Sequence, residues 1–260
     1  MNASIDALYV TCEGGLDAAC APYERLGLVL TPAAAGQRTL LVGLGPQAFR
    51  VHFLDPATIE PELCFAGPFS LGLRSPDLDA AIAALAARGL EALPGPGGDG
   101  ERFTWLPLLD RAGIDLVLRE EGPEIAGAPD HPFPLRRLDH LAIVTHDLKA
   151  KCAYWADVIG VPVSGEVRTP TLIIRQLRLG DAVLELLGAA SPDSPINQRP
   201  PGPVRMASWE VPDLDRAVAL ARQAGFTPSD PAPGPLPGTR ISTIPGPELA
   251  GVHMQLLQYV

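Results

Sequence analysis

The sequence predicts an α+β protein built from four copies of one strand–helix–strand unit, paired into two domains. Two stretches agree closely: residues 75–92 and 211–228 each contain Pro-Asp-Leu-Asp, then an amphipathic helix, then a glycine. The first aspartate is expected to cap the helix and the glycine to end it. Weaker copies of the same pattern lie at residues 10–30 and 144–163, so the unit occurs four times.

Each helix lies between apolar segments of strand length, which gives every unit the order β-α-β-β-β. The first strands are predicted at residues 5–10, 69–74, 138–144 and 206–211, and the closing strands at 49–54, 114–119, 182–187 and 252–258. Equivalent positions in the first and last strands, Ala7 and His52, are 45 residues apart, as are His140 and Glu185. Units one and three therefore correspond, and the larger repeat is a pair of units.

The two pairs of units predict two domains joined by a linker. The N-terminal domain spans residues 1–122, with units at 1–62 and 66–122, and the C-terminal domain spans residues 137–260, with units at 137–190 and 203–260. The linker, residues 123–136, lies in a stretch rich in proline, glycine and alanine.

The amino-acid composition of the chain argues against several classes of binding partner. The formal net charge of -10 argues against nucleic acid, because phosphate binding needs clustered Lys and Arg. No apolar run approaches the ~18 residues of a membrane span, and residues 1–10 lack the pattern of a secretory signal. The four cysteines form no CxxC motif and are interpreted as reduced thiols of a cytoplasmic protein. A small molecule is the expected partner.

The C-terminal half carries three segments that resemble the vicinal oxygen chelate superfamily, which includes glyoxalases, bleomycin resistance proteins and extradiol dioxygenases. The segments are residues 138–148, 178–196 and 238–244, the last followed by 251–258. Within the superfamily this half looks most like methylmalonyl-CoA epimerase. The resemblance implies that each pair of units forms a half-barrel around a concave cavity. It also implies a divalent metal ion, held by residues of the first and last strands of each unit.

The residues at these positions suggest a metal site in the C-terminal domain. His140 and Glu185 occupy the positions of unit three, and Gln255 occupies the last-strand position of unit four, so these three are the predicted ligands of Fe, Mn, Zn, Ni or Co. Met206 stands where the family usually has histidine. No organic cofactor is implied. The corresponding positions of the N-terminal domain are filled by Ala7, His52, Ser70 and Val117.

Four further residues are predicted to line a substrate pocket: Met206, His253, His52 and Arg175. Each has a second interpretation. Met206 could be an apolar wall only, His52 a core histidine, and Arg175 a solvated surface residue. His253 shares the face of Gln255 and could replace the imidazole missing at Met206. Glu185 could be hydrogen-bonded to His140 instead of to a cation.

Two functions remain open at this stage, and no catalytic base is identified. The first is a metal-dependent lyase, isomerase or dioxygenase-like enzyme that acts on a small oxygenated metabolite in the C-terminal cavity. A standard extradiol dioxygenase is not expected, because Met206 and Gln255 break its ligand pattern. The second is a metal-free protein, either a natural-product binder or an enzyme that kept only the cavity. The N-terminal domain is expected to serve as scaffold, homodimer surface or pocket wall.

Overall fold

The computed structural model describes residues 3–12, 14–32, 36–43, 48–57, 69–94, 102–120 and 130–260. Within these ranges the chain repeats the order β-α-β-β-β four times, with an additional short α-helix in the second repeat and 3-10 helices at Pro195–Gln198 and Gly246–Glu248 in the third and fourth. The predicted α+β class is confirmed. None of the described helices is both long enough and apolar enough to span a membrane.

Three of the five α-helices in the described ranges begin at an aspartate cap, as predicted. The five helices are α1 (Leu16–Arg25), α2 (Leu78–Ala86), α3 (Leu109–Ala112), α4 (Leu148–Tyr154) and α5 (Leu214–Gln223). The carboxylates of Asp77, Asp147 and Asp213 accept the backbone N–H groups at the starts of α2, α4 and α5, at 2.8, 2.9 and 3.0 Å. A π-helical turn, Trp155–Ile159, continues α4. Glycine then ends each repeated helix at positive φ, with values of 93°, 78°, 86° and 82° at Gly27, Gly89, Gly160 and Gly225.

The described strands form two eight-stranded sheets that follow the two halves of the sequence. The first sheet contains β1 (Ser4–Thr11), β2 (Leu30–Pro32), β3 (Gln37–Val42), β4 (Phe49–Leu54), β5 (Phe69–Ser75), β6 (Leu93–Pro94), β7 (Phe103–Leu106) and β8 (Leu116–Glu120). The second contains β9 (Arg137–Val144), β10 (Gly165–Arg168), β11 (Leu172–Leu179), β12 (Ala182–Ala189), β13 (Gly202–Glu210), β14 (Ala232–Pro233), β15 (Thr239–Ile244) and β16 (His253–Tyr259).

The strand order places the first and last strands of every repeat at the middle of a sheet. The orders are β2-β3-β4-β1-β5-β8-β7-β6 and β10-β11-β12-β9-β13-β16-β15-β14. In each sheet the two repeats therefore meet through their first strands, and each first strand has the last strand of its own repeat on its other side. This is the arrangement that the predicted ligand columns require.

Backbone contacts divide the chain into two compact units that do not coincide with the two sheets. One unit comprises Met1–Leu8, Leu63–Gly122 and Leu141–Val204; the other comprises Tyr9–Glu62, Pro123–His140 and Arg205–Val260. Each unit thus combines one repeat from each half of the sequence. The domain boundaries 1–122 and 137–260 remain a prediction, and residues 121–129, at the predicted linker, lie outside the described part.

The second compact unit is held together by contacts between repeats one and four. The ring of Phe49 in β4 packs edge-on against Trp209 in β13, with centroids 5.5 Å apart. The Tyr23 hydroxyl of α1 donates to the carbonyl of Leu249 at 3.2 Å. All three aromatic residues are buried, so the core of this unit is built by side chains distant in sequence.

The first compact unit joins repeats two and three in the same way. The indole Nε1 of Trp155, which is fully buried, donates to the carbonyl of Ala112 at 3.0 Å. Lys151 donates to the carbonyl of Arg111 at 2.6 Å, so a cation of α4 lies at the carboxyl end of α3. The pairing of repeats across the halves is therefore common to both units.

Candidate functional site

The candidate site lies where β13 and β16 run side by side in the second sheet. The two strands are parallel, with Met206 opposite His253 and Ser208 opposite Gln255. Alternate residues of a strand face the same side of its sheet. These four side chains therefore share one face.

A continuous line of hydrogen bonds crosses this face. We call it the polar chain; it consists of Asp139, His140, Ser208 and Gln255. Asp139 Oδ1 is 2.8 Å from His140 Nδ1, and Ser208 Oγ is 2.9 Å from His140 Nε2. The Ser208 hydroxyl donates to Gln255 Oε1, also at 2.9 Å. All four residues belong to the second compact unit.

With the Gln255 amide oriented as in the structure, the directions of these bonds place a proton on each ring nitrogen of His140. A carboxylate can only accept, so Nδ1 donates to Asp139. A hydroxyl has one proton, and Ser208 gives it to Gln255, so His140 Nε2 must donate to Ser208. In this arrangement His140 is an imidazolium ion paired with a carboxylate. A half-turn of the Gln255 amide would reverse the last two bonds and leave His140 neutral.

The carboxylate of Asp139 is held in its charged form by several donors. The Tyr259 hydroxyl donates to Oδ2 at 2.7 Å, and Arg137 Nη2 lies 3.2 Å from the same oxygen. Burial raises the pKa of Asp139, but the hydrogen bonds with His140 and Tyr259 more than offset it, so its pKa lies below the ordinary value. Burial, and then the bond to Asp139, raise the pKa of Tyr259 to about 12. Asp139 can therefore carry the negative charge that balances His140.

The first three members of the polar chain have the order of a serine-hydrolase triad, but Ser208 is not placed as a nucleophile. Its side chain is fully buried, at 0% exposure, and its proton is directed to Gln255 rather than to His140. His140 is more accessible, with 16% of its side chain exposed. Ser208 instead links His140 to Gln255 by hydrogen bonds. The Gln255 amide is the end of the polar chain that reaches the surface of this face.

The donor set around His140 does not fit a divalent cation in this geometry. A ligating imidazole needs a free lone pair, whereas Nε2 donates to Ser208, and Gln255 Oε1 already accepts from the same hydroxyl. In the described ranges, no three His, Cys, Asp or Glu side chains are grouped as a metal site would require. The centre predicted from His140, Glu185 and Gln255 therefore stays a prediction.

Glu185 lies on β12 in the first compact unit, half-buried among alternating apolar residues. Its register partner on β11 is Gln176, whose Nε2 donates to Glu185 Oε1 at 3.3 Å. The amide supplies a donor that a carboxylate in an apolar strand needs.

The other predicted pocket residues are placed in three different surroundings. His253 is exposed, and its Nδ1 accepts the backbone N–H of Gly246 at 3.1 Å. Arg175 forms an ion pair with Glu166 at 2.5 Å in the first compact unit. His52 is buried in the first sheet, where its ring stacks on Tyr9 with centroids 4.8 Å apart. Their roles as substrate contacts stay predictions.

Three members of the site were not among the residues predicted to bind a metal ion or a substrate. Asp139 and Ser208 carry signals that could have been used: one directly precedes His140, and the other lies two residues after Met206, on the same strand face. Tyr259 carries none, because it is the penultimate residue and 120 positions from Asp139. Only the sheet brings these two residues together.

Comparisons with known proteins agree with the fold. Residues 139–243 match the model of the Glyoxalase/Bleomycin resistance protein/Dioxygenase superfamily. No curated protein matches the chain. Among solved structures, a triple variant of 4-hydroxymandelate synthase from Streptomyces coelicolor aligns with a TM-score of 0.65 and 14% identity, covering 98% of this chain and 93% of that one.

Two epimerase structures align with about half of the chain. Methylmalonyl-CoA epimerase from Mycobacterium tuberculosis has 21% identity and a TM-score of 0.45, covering 51% of this chain and 93% of that one. A variant of the Streptomyces coelicolor enzyme, in complex with 2-nitronate-propionyl-CoA, has 24% identity and a TM-score of 0.43, covering 48% and 99%. The fold of the 4-hydroxymandelate synthase structure thus extends over the chain, and residues 139–243 are similar to the Glyoxalase/Bleomycin resistance protein/Dioxygenase superfamily.

Proposed function

We propose that this protein is an isomerase- or lyase-type enzyme that acts on a small oxygenated metabolite and stabilises an oxyanion with the polar chain. The observation that carries the proposal is the unbroken series of bonds from Asp139 through His140 and Ser208 to Gln255, at 2.8, 2.9 and 2.9 Å. The series ends on a partly exposed amide. Among the described residues, none accepts from the Nε2 of Gln255.

In this proposal, the positive charge of His140 polarises the hydrogen bonds that lead to Gln255. The His140 imidazolium draws electron density from the Ser208 oxygen, and the Ser208 hydroxyl in turn polarises the Gln255 carbonyl. Successive hydrogen bonds strengthen one another in this way. The amide N–H of Gln255 therefore becomes a stronger donor toward a substrate oxygen that gains negative charge. Preorganised donors of this kind stabilise enolate-like intermediates, as a metal ion would.

The proposal can be tested by deuterium exchange. Candidate 2-oxo acids, 2-hydroxy acids and thioesters are incubated with enzyme in D₂O, and loss of the proton next to the carbonyl is followed by proton NMR. Gln255→Leu and His140→Gln should each lower the exchange rate by about 10²–10³, as removal of an oxyanion donor does elsewhere. Gln223→Leu, an exposed change in α5, is the matched control and should leave the rate unchanged. Equal rates in all four proteins would contradict the proposal.

A metal-dependent enzyme is the second candidate, and one observation favours it. Metal-ligating histidines usually donate their second ring nitrogen to a carboxylate, and Asp139 accepts from His140 in this manner. With the Gln255 amide turned, His140 Nε2 would become an acceptor, and its lone pair would be available to a cation once the Ser208 hydroxyl turned away. A divalent cation held there with Glu185 and Gln255 would polarise a substrate oxygen.

Metal analysis separates the two candidates. Protein purified without chelator is analysed for Fe, Mn, Zn, Ni and Co, beside His140→Ala and Glu185→Ala. The proposal of a metal-free oxyanion site expects no stoichiometric metal and exchange that resists chelators. Stoichiometric metal that is lost in both variants would establish the second candidate. A retained organic ligand without exchange of any substrate would instead indicate a binding protein.

A further inference from the structure

The face that carries Gln255 has two more donors that the polar chain does not use. Thr243 of β15 lies directly opposite Gln255 in the antiparallel pair of β15 and β16. Directly paired residues have Cβ atoms about 5 Å apart on the same side of a sheet. His253 lies two residues before Gln255 and so also shares this face. All three side chains are at least partly exposed.

The polar atoms that these side chains offer are donors. Within the described chain, no residue bonds to the Thr243 hydroxyl or to His253 Nε2. His253 Nδ1 accepts the Gly246 N–H, so the proton of the ring lies on Nε2 and points away from the backbone. The Gln255 carbonyl is taken by Ser208, which leaves its amide N–H groups.

No free acidic group competes for these donors on the same face of β13, β15 and β16. Glu210 is the only carboxylate at a position of matching parity in these strands, and it is paired with Arg137 Nε at 2.7 Å. In the turn before β16, both carboxylate oxygens of Glu248 accept from Thr227. Met206, opposite His253, adds an apolar contact.

From this placement we propose that Thr243, Gln255 and His253 form a donor cradle for the carboxylate of the substrate, with Thr243 and Gln255 sharing the oxygen that becomes the oxyanion. The proposal rests on the proposed function and deepens it: the metabolite is a carboxylate with a further oxygen beside it. The whole protein has a net charge of -10, which repels anions at long range. Binding of a carboxylate therefore needs such a local group of donors.

The experiment measures binding of oxalate, a planar dicarboxylate, to the full-length protein by calorimetry and by NMR shifts of the Gln255 side-chain amide. Oxamide, in which both carboxylates are replaced by amides, is the matched probe without a carboxylate. We expect Thr243→Val and His253→Leu each to weaken oxalate binding about tenfold, the usual value of a hydrogen bond to a charged group. Thr243→Ser should restore the affinity, because it keeps the hydroxyl.

Arg205→Gln is the control variant. Arg205 is an exposed cation on β13, but it alternates with Met206 and so belongs to the opposite face. We expect no change in oxalate affinity, and weaker binding of oxamide than of oxalate to the wild type. The proposal is overturned if oxalate does not shift the Gln255 amide, if oxamide binds equally well, or if Arg205→Gln weakens binding as much as Thr243→Val.

The oxalate-binding measurement does not depend on whether the protein catalyses proton exchange. Oxalate binding that depends on Thr243 and His253, in a protein that exchanges no substrate proton, would support the cradle while contradicting the proposed enzyme. Proton exchange that depends on Gln255, without selective loss of oxalate in Thr243→Val, would support the enzyme and remove the cradle.

Discussion

Equivalent strand positions of the two sheets are occupied by different residues. The comparison shows which side chains a site requires in addition to the fold. At the positions of Asp139 and His140 in the second sheet, the first sheet has Asp6 and Ala7. At the paired positions of Ser208 and Gln255, it has Gly72 and Val117, which are also register partners across two parallel strands. The second sheet has the polar chain at these positions, whereas the first sheet keeps only the aspartate and has small or apolar residues at the other three.

The aspartate common to both sheets is stabilised in two ways. In the second sheet Asp139 is bound by His140, Tyr259 and Arg137. In the first sheet Asp6 is paired with Arg119, with 3.7 Å between Asp6 Oδ2 and Arg119 Nη1, and both side chains are almost fully buried. Asp139 belongs to a hydrogen-bond network that reaches the face of its sheet, whereas Asp6 and Arg119 lie in a core. The aspartate is thus a feature of the fold, and its partner decides whether chemistry is available.

The largest effect on stability is expected from breaking the buried ion pair of the first sheet. Arg119→Met leaves the carboxylate of Asp6 buried without its cation, which should lower the free energy of unfolding by about 3–5 kcal/mol. Urea denaturation measures this change. Asp6→Leu combined with Arg119→Met should recover most of the loss, because no buried charge remains. A double variant as unstable as the single one would show that the pair itself is needed.

A smaller effect is expected from Asp139 in the second sheet. Asp139→Asn removes the charge that balances His140 and should cost about 1.5–3 kcal/mol at neutral pH. Because the pKa of Asp139 is lowered in the folded protein, its contribution is present above the unfolded pKa and is lost as pH falls through the folded pKa. Acid titration of stability should therefore be flatter below about pH 4 in the variant than in the wild type. Parallel curves would contradict this prediction.

Tyr259 gives a matching prediction at alkaline pH. Its pKa is raised from 10.0 to about 12, so its contribution is complete below the unfolded pKa and is lost as pH rises toward the folded pKa. Ultraviolet titration of the phenols should show a step near pH 12 that loses one phenol in Tyr259→Phe. The same variant should retain the fold, since half of the residue is exposed.

The smallest effect is expected where the two sheets are alike. Arg102 is paired with Asp79 at 2.5 Å, and Arg240 is paired with Asp215 at 2.9 Å, at corresponding places in repeats two and four. Both pairs are solvent-exposed, and such pairs contribute little. Arg102→Gln and Arg240→Gln should leave the thermal midpoint nearly unchanged and equal to each other. A large difference between them would mean that the two repeats are supported differently.

The sequence predicts the repeated elements well because their signals are local. Asp77, Asp147 and Asp213 cap helices within three residues, and four glycines end them at positive φ, so both features can be read from short segments. The family resemblance in the C-terminal half also follows from local segments. These signals suffice for the order of elements and for the fold class.

The site was predicted only in part, because its partners depend on register and on distant residues. His140 and Gln255 were predicted to belong to one site, but a metal ion was expected to link them, with Met206 in the pocket wall, and Ser208 links them in the structure. A shift of two positions along a strand keeps the same face, so periodicity could not choose between Met206 and Ser208. The pairing of Asp139 with Tyr259 depends on strands that are 120 positions apart.

The two compact units determine how the protein would behave if its chain were divided between the two sheets. Phe49 and Tyr23 complete a core to which Trp209 and Leu249 also contribute, so neither half of the gene encodes a whole core. Two polypeptides produced by a stop and restart between the sheets would behave as an obligate heterodimer. The polar chain would then become a reporter of assembly, since the strand that supplies Ser208 packs its next residue, Trp209, against the other polypeptide.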